Sequence, residues 1–230
     1  MIQIPLNNTN FIVRRRISMQ TEKIIEEFKK IDVCCVSDAA DRIGINCALY
    51  GIKPIVAGTS FCGQAFTVHF IPCGKEKGMV EDYLGDVPPG QVVVIDNAGR
   101  DCCSVWGGMM AESAVLRGVA GTVIDGVCRD IPALLRLKYP IFTKGTYMAA
   151  GRGRVMVDYV NKPVSVSNVK IEPGDIIIGD GSGVLAIPLG SAEQILKAAL
   201  EIAEKDVKTL SAVHSGMKLK DARALVNKQP

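Results

Sequence analysis

The chain has 230 residues, with 27 Lys and Arg against 24 Asp and Glu; a net charge of +3 is too nearly balanced to argue for nucleic acid or an anionic membrane as partner. At 48% hydrophobic and 22% charged residues it has the make-up of an ordinary soluble globular protein, long enough to bury a real core as a single domain. The opening "MIQIPLNNTNF" lacks the charged-then-apolar pattern of a signal peptide, and no apolar run approaches the roughly eighteen residues of a membrane span, which points to the cytoplasm.

In chain order, the "RRR" of Arg14–Arg16 reads as a solvated face or subunit contact. "TEKIIEEFKK" (21–30) reads as a short amphipathic helix. "VSDAADRIGI" (36–45) reads as a second, with Ser37 as N-cap and Gly44 as its stop. "GQAFTVHF" (63–70) alternates like a strand, and "KEKGMVEDYLG" (75–85) is a poor, short helix. "PPGQVVVIDNAG" (88–99) is a turn, a β-branched strand and a loop. "GGMMAESAVLRG" (107–118) is a helix entered through two glycines, "VAGTVIDG" (119–126) a strand, and "DIPALLRLKYP" (130–140) a short helix with Pro132 in its first turn.

Beyond this the pattern changes to short strands in "RVMVDYV", "PVSVSNVKI", "DIIIGD" and "GVLAIP", with turns at "EPGD" (172–175) and "GDGSG" (179–183). "SAEQ" (191–194) has the form of a capping box opening a long C-terminal helix. No repeat or linker divides the chain, so one domain is expected, with a core over about 30–190 and a helical extension over about 191–230. Helices alternate with strands in the middle and strands run together later, which implies a layered α/β domain with a mixed sheet. The eight cysteines form no C-x-x-C, and with only His69 and His214 beside them a zinc site is not indicated; buried reduced thiols are expected.

The acids Asp96, Asp125 and Asp130 fall at or just beyond strand ends, where α/β layers bind ligands. Asp125-Gly126 reads equally as a plain turn, and Arg129-Asp130 as an exposed ion pair with Asp130 capping the next helix. Gly107 and Gly108 expose backbone N–H groups at a helix start, an anion site for a small carboxylate; tight helix packing is the alternative. No P-loop and no glycine-rich methyltransferase loop is present. Together the amides could hold a carboxylate, Arg129 a carbonyl oxygen, and Asp130 a hard cation, Mg²⁺ or Mn²⁺. Such a set stabilises an enolate formed beside a keto acid.

"WGGMMAESAVLRGVAGTVIDGVCRD", with "VSDAADRIGI", "PPGQVVVIDNAG" and "PGDIIIGDGSGVLAIP" around it, resembles the RraA-like family, which includes class II 4-hydroxy-4-methyl-2-oxoglutarate aldolases. The resemblance covers about residues 30 to 210. It implies an α/β/β sandwich related to swivelling phosphohistidine domains, assembled as a homotrimer or hexamer. It also implies a metal-dependent lyase that cleaves a 4-hydroxy-2-oxo acid to pyruvate or decarboxylates oxaloacetate, with a divalent ion and the small 2-keto acid bound between subunits. Arg129 would contact the keto acid, Asp130 would anchor the metal, and the amides of Gly107, Gly108, Met109 and Met110 would bind the pyruvyl carboxylate. The family also includes non-catalytic regulators that inhibit a ribonuclease.

The family's Asp, twenty residues, Arg-Asp pattern puts Gly108 where its first acid stands, with Glu112 the nearest acid on the helix; Ser182 replaces a commoner acid while Asp180 is kept. An acid near the C-terminal helix is expected to serve a neighbouring subunit. Asp206 shares the apolar stripe of Ile195, Ala199 and Ile202, whereas Glu204 lies on the charged face, so Asp206 is the expected residue.

Overall fold

Both faces of the central sheet are covered, which is why its strands read as apolar runs rather than alternating ones. The computed structural model describes residues 19–75, 78, 80 and 83–227. Helix α1 (19–28) leads into α2 (Val33–Ile43), then β1 (Lys53–Pro54), β2 (Phe61–Pro72), β3 (Val92–Ser104), α3 (Gly108–Leu116), β4 (Gly121–Cys128), α4 (Ile131–Leu137) and β5 (Ile141–Thr146). Strands β6 (Val155–Val160), β7 (Val164–Val166), β8 (Val169–Ile171), β9 (Ile176–Asp180) and β10 (Gly183–Ile187) follow, then α5 (Ala192–His214) and α6 (Leu219–Asn227).

The main sheet runs β1-β5-β4-β3-β2-β9-β10, with β6 also on β2. β2, β3, β4 and β5 are parallel, while β9, β10, β6 and β1 pair antiparallel, so the sheet is mixed. The length of β2 makes this possible: Phe61–Gln64 pairs with β9, Ala65–His69 with β3, and Val68–Pro72 with β6. On one face, Phe66, Val68, Val93, Ile95 and Ile124 pack with Met110, Ala111 and Ala114 of α3 and Leu134 of α4. On the other, Val92, Val94, Val123 and Phe142 pack with Val164, Val166, Val169 and Ile171 of the β7–β8 hairpin. This helix–sheet–hairpin layering is the expected α/β/β arrangement. A third cluster seats α2 and α5 on Ile176, Ile178, Leu185 and Ile187. No described helix is long and apolar enough to cross a membrane.

Several local expectations change. Helix α2 starts at Val33 because Asp32 accepts from the Cys34 amide at 2.7 Å, so Ser37 is an interior residue, while Gly44 ends the helix as expected at φ 80°. Ser191 makes no side-chain cap: with φ −108° and ψ −3° it continues a 3₁₀ turn (Leu189–Ser191) rather than taking the extended geometry a capping box needs. The helix expected over 75–85 is described only at its end, as a 3₁₀ turn at Leu84–Asp86, and Arg14–Arg16 lie outside the described residues. Asp125 and Gly126 lie within β4, not in a turn. All eight cysteines are free.

Candidate active site

The carboxyl ends of β3 and β4 are tied together just before their helices begin. The Val105 amide donates to the Val127 carbonyl at 3.3 Å, and the Arg129 amide to the Trp106 carbonyl at 3.0 Å. This clamp sets the glycine turn before α3 against the Arg-Asp turn before α4. Asp130 then takes a left-handed conformation, φ 61° and ψ 41°, which Asp tolerates better than most residues. Its side chain makes no cap on α4. It turns back instead, and Oδ2 accepts from the Gly108 amide at 2.9 Å, 3.6 Å from Arg129 Nε. The carboxylate thus caps α3, where the helix dipole favours negative charge.

A glycine leaves the room this geometry uses. A Cβ on Gly107 would stand 2.6 Å from Asp130 Oδ2 and 3.3 Å from Arg129 Nε. A Cβ on Gly108 would lie 3.0 Å from the Ala133 Cβ, so a side chain at the place of the family's first acid would need α4 to give by a few tenths of an ångström. Glu112 does not stand in for it: it points to Arg136 of α4 at 3.1 Å and does not line the cleft.

A cleft of about 520 Å³ opens over the turn, lined by Gly107, Met109, Met110, Arg129 and Asp130. The side chains of Arg129 and Asp130 are 35% and 46% exposed, within reach of a ligand. The structure therefore brings the glycine turn, Met109, Met110, Arg129 and Asp130 to one place, and leaves Asp206 outside it. The Gly108 amide is taken by Asp130, so the first-turn amides left to meet an anion are those of Met109 and Met110, which have no acceptor inside the helix. Leu84, Ser104, Trp106 and Arg152 also line the cleft and were not expected. Trp106 had a signal, standing directly before the glycines; its ring stacks on Tyr139 at 5.9 Å. Leu84 and Arg152 come from distant segments with no motif of their own.

Asp206 is not part of this cleft. It is exposed on α5, with Oδ2 3.7 Å from Cys35 Sγ of α2. Burial and then the charge of Asp206 push the Cys35 thiol up to about 11. Its expected place on a buried stripe ends at Ile202, although Thr209 further on is buried again. Glu204 is exposed as expected and pairs with Lys208 at 2.7 Å; that hydrogen bond holds its carboxyl below the ordinary value. Asp180 and Ser182 serve structure, Asp180 accepting from the Val33 and Ser182 amides at 3.2 and 2.7 Å.

Asp96 and Asp125 lie on the hairpin face of the sheet, opposite α3 and α4. Asp96 accepts from the Ser165 amide and Asp125 from the Ser167 amide, each at 3.2 Å, which pins the hairpin down. Lys144 pairs with Asp125, and His69 sits between Asp158 at 3.2 Å and Asp96 at 4.0 Å.

Among the described residues, no three His, Cys, Asp or Glu side chains gather into a metal-binding group, and Asp130 is the one carboxylate that lines the cleft. One exposed carboxylate suits Mg²⁺ or Mn²⁺, which keep several waters and take further oxygens from a ligand. It does not suit an all-protein cage such as structural zinc needs.

The layers and the cleft at the carboxyl edge of the parallel strands define an α/β/β protein whose site lies between a glycine turn and an Arg-Asp turn. The RraA-like family model, described as Aldolase/RraA, matches residues 33–186, and the chain belongs to that family. It is 36% identical over 175 residues to a protein of Halalkalibacterium halodurans named "Putative 4-hydroxy-4-methyl-2-oxoglutarate aldolase", covering 76% of this chain and 81% of that one. It is also 36% identical over 192 residues to Protein DlpA of Legionella pneumophila; this covers 82% of the chain but only 31% of that longer relative. A solved structure of an uncharacterised protein from Pseudomonas syringae pv. tomato superposes with a TM-score of 0.83 at 35% identity, covering 88% of this chain and 97% of that one. Streptomyces coelicolor RraAS2, described as an unusual member of the RNase ES inhibitor RraA protein family, shares the fold at a TM-score of 0.74 and 24% identity, covering 83% and 96%.

Proposed function

We propose that the chain is a divalent-metal-dependent lyase that releases pyruvate from a small 2-keto acid, by retro-aldol cleavage of a 4-hydroxy-2-oxo acid, by decarboxylation of oxaloacetate, or both. The observation that carries this reading is the left-handed Asp130, held beside Arg129 and the first turn of α3 at the mouth of a 520 Å³ cleft. The aldolase name of the Halalkalibacterium halodurans relative supports the same reading.

The Met109 and Met110 amides, with the dipole of α3, hold the carboxylate of the 2-oxo acid. Arg129 donates to the C2 oxygen and meets its charge as the C3–C4 bond breaks. In the retro-aldol case the C4 hydroxyl gives its proton to solvent water as the electron pair of that bond passes to C3 and then to the C2 oxygen, giving the enolate and a carbonyl compound; in decarboxylation the same electron shift releases CO₂ with no such proton to lose. A proton added at C3 completes pyruvate. Asp130, kept in place by the Gly108 amide, holds the cation. When bound, the cation supplies positive charge to the developing enolate oxygen.

The same reading takes the protein as a cytoplasmic homotrimer or hexamer in which Asp206 serves a neighbouring subunit's site. Leu200, Val207 and Leu210, apolar and exposed on the same helix, support a partner surface there. A second reading, a non-catalytic regulator of a ribonuclease, draws on Gly108, where the family's first acid is missing and α3 packs tightly on α4.

A panel of 4-hydroxy-2-oxo acids and oxaloacetate, assayed for pyruvate with Mg²⁺ or Mn²⁺ and with chelator, separates the two. The lyase reading expects pyruvate from at least one substrate only with metal. No release from any member would favour the regulator.

A further inference from the structure

The cleft is larger than a pyruvyl group needs. Pyruvate has six heavy atoms; at about 30 Å³ each, a water's share of liquid volume, they fill at most roughly 180 Å³. The cleft holds about 520 Å³. More than half of it therefore remains for whatever the substrate carries beyond C3.

The walls around that remainder are mainly apolar. Leu84, Val105, Trp106, Met109 and Met110 line the cleft. Met109 is 81% exposed, although it stands on the first turn of a helix whose Met110, Ala111 and Ala114 are buried. An unbranched thioether in that position adapts to ligands of different shape. Of the two serines at the cleft, Ser104 is engaged, its hydroxyl donating to the Ala149 carbonyl at 3.0 Å, and Ser113 is half-buried one turn further along α3.

We propose that the 4-hydroxy-2-oxo acid cleaved at this site bears an apolar group, alkyl or aryl, on the carbon beyond C3, and that Met109 is the side chain that selects for it. This rests on the reading of the cleft as a 2-oxo acid site and goes beyond it by naming the substituent. With the head held at the first turn of α3, the Met109 side chain on that same turn is the exposed apolar group beside the next carbons of the acid. Burial of a phenyl or branched alkyl group there removes apolar surface of both partners from water. A second carboxylate in the same place would lose water against these walls, with the exposed Arg152 guanidinium at the cleft edge as the cation to meet it.

Calorimetry with the metal-loaded protein tests this with three unreactive 2-oxo acids that share one head: pyruvate, 4-phenyl-2-oxobutanoate and 2-oxoglutarate. The phenyl compound is expected to bind at least about tenfold tighter than pyruvate, and 2-oxoglutarate no tighter than pyruvate. Met109→Ser is expected to shrink the ratio of phenyl-compound to pyruvate affinity severalfold, and Met109→Leu to restore it. Circular dichroism and thermal melting of both variants establish that they are folded. Tightest binding by 2-oxoglutarate, lost in Arg152→Gln, would overturn the proposal in favour of a diacid. Equal affinity for all three, or an unchanged ratio in Met109→Ser, would also overturn it. The pyruvate-release assay stands apart: release from oxaloacetate with the wrong binding order defeats this inference alone. No release from any substrate defeats the lyase reading, while the binding order still decides this one.

Discussion

Replacing Gly107 with Ala perturbs the site at the Asp130 carboxylate and, less, at Arg129 Nε. The added Cβ would stand 2.6 Å from Asp130 Oδ2, closer than real contacts allow. The backbone does not resist the change, since φ −151° and ψ −172° is extended geometry open to any residue. Relief comes from the Asp130 side chain, whose shift lengthens or breaks its 2.9 Å hydrogen bond from the Gly108 amide. A hydrogen bond to a charged group contributes about 1.5–3 kcal/mol, and with Asp130 46% exposed the lower end applies, about 1.5 kcal/mol. For a chain of this size that lowers Tm by roughly 3–6 °C. The effect on activity is larger, because a catalytic carboxylate displaced by about 1 Å costs on the order of a hundredfold in rate. Thermal melting and metal-dependent pyruvate release measure the two effects separately. Gly190→Ala is the control, as a Cβ there meets nothing within 4 Å. A Gly107→Ala protein with wild-type Tm and wild-type activity would refute the argument that Asp130 must be pinned at α3.

Asp130→Asn keeps an oxygen to accept from Gly108, so the expected outcome is loss of metal-dependent pyruvate release with a Tm within a few degrees of wild type; full turnover that still requires metal would remove Asp130 from the cation site. Lys144→Met leaves the buried Asp125 without its cation, and urea unfolding should show a loss of about 2–3 kcal/mol, below the full cost of breaking a buried pair because Lys144 is 34% exposed. Restoring most of that loss with Asp125→Asn in the same chain is the expected second result, and no coupling between the two changes would contradict the pairing. Burial pushes the thiols of Cys47 and Cys128 up to about 11 and that of Cys62 to about 12, from 9.0. Their folded state holds protons that the unfolded chain releases, so this contribution to stability is complete below pH 9 and is lost as pH rises through 11 to 12. Unfolding free energies measured from pH 7.5 upward, compared with those of a Cys128→Ala protein, should fall more steeply above pH 9 in the wild type.

Much of the fold was legible because the cues were local. The β-branched runs at 92–95 and 121–124, the glycines around α3 and the short strands after 150 each specify their own element. The meeting of Gly107 and Gly108 with Arg129 and Asp130 was legible through the family pattern. What stayed hidden depends on contacts distant in sequence. The left-handed turn at Asp130 redirects the carboxylate from α4 to α3, and nothing in "CRDIP" declares it. Asp206 follows the helical period of the apolar stripe, yet it lies beside Cys35 in the first turn of α2 and stays exposed, so the period alone did not fix its burial. Asp96 and Asp125 end apolar runs as a ligand site would, yet they face the hairpin. The strand's period of two decides which face a residue joins, and the sequence alone did not say which face carried the cleft.

The central claim is that Arg129, Asp130 and a bound cation together meet the charge of a pyruvate enolate. Oxalate, a planar mimic of that enolate, tests it most directly by calorimetry with Mg²⁺ or Mn²⁺ and with chelator. Groups aimed at developing charge bind such a mimic better than the ground state. The account predicts binding only with the metal present, because without it the Asp130 carboxylate repels the dianion, and weaker binding in Arg129→Lys, whose ammonium cannot give a planar two-point grip. Equal oxalate affinity with and without chelator would contradict it.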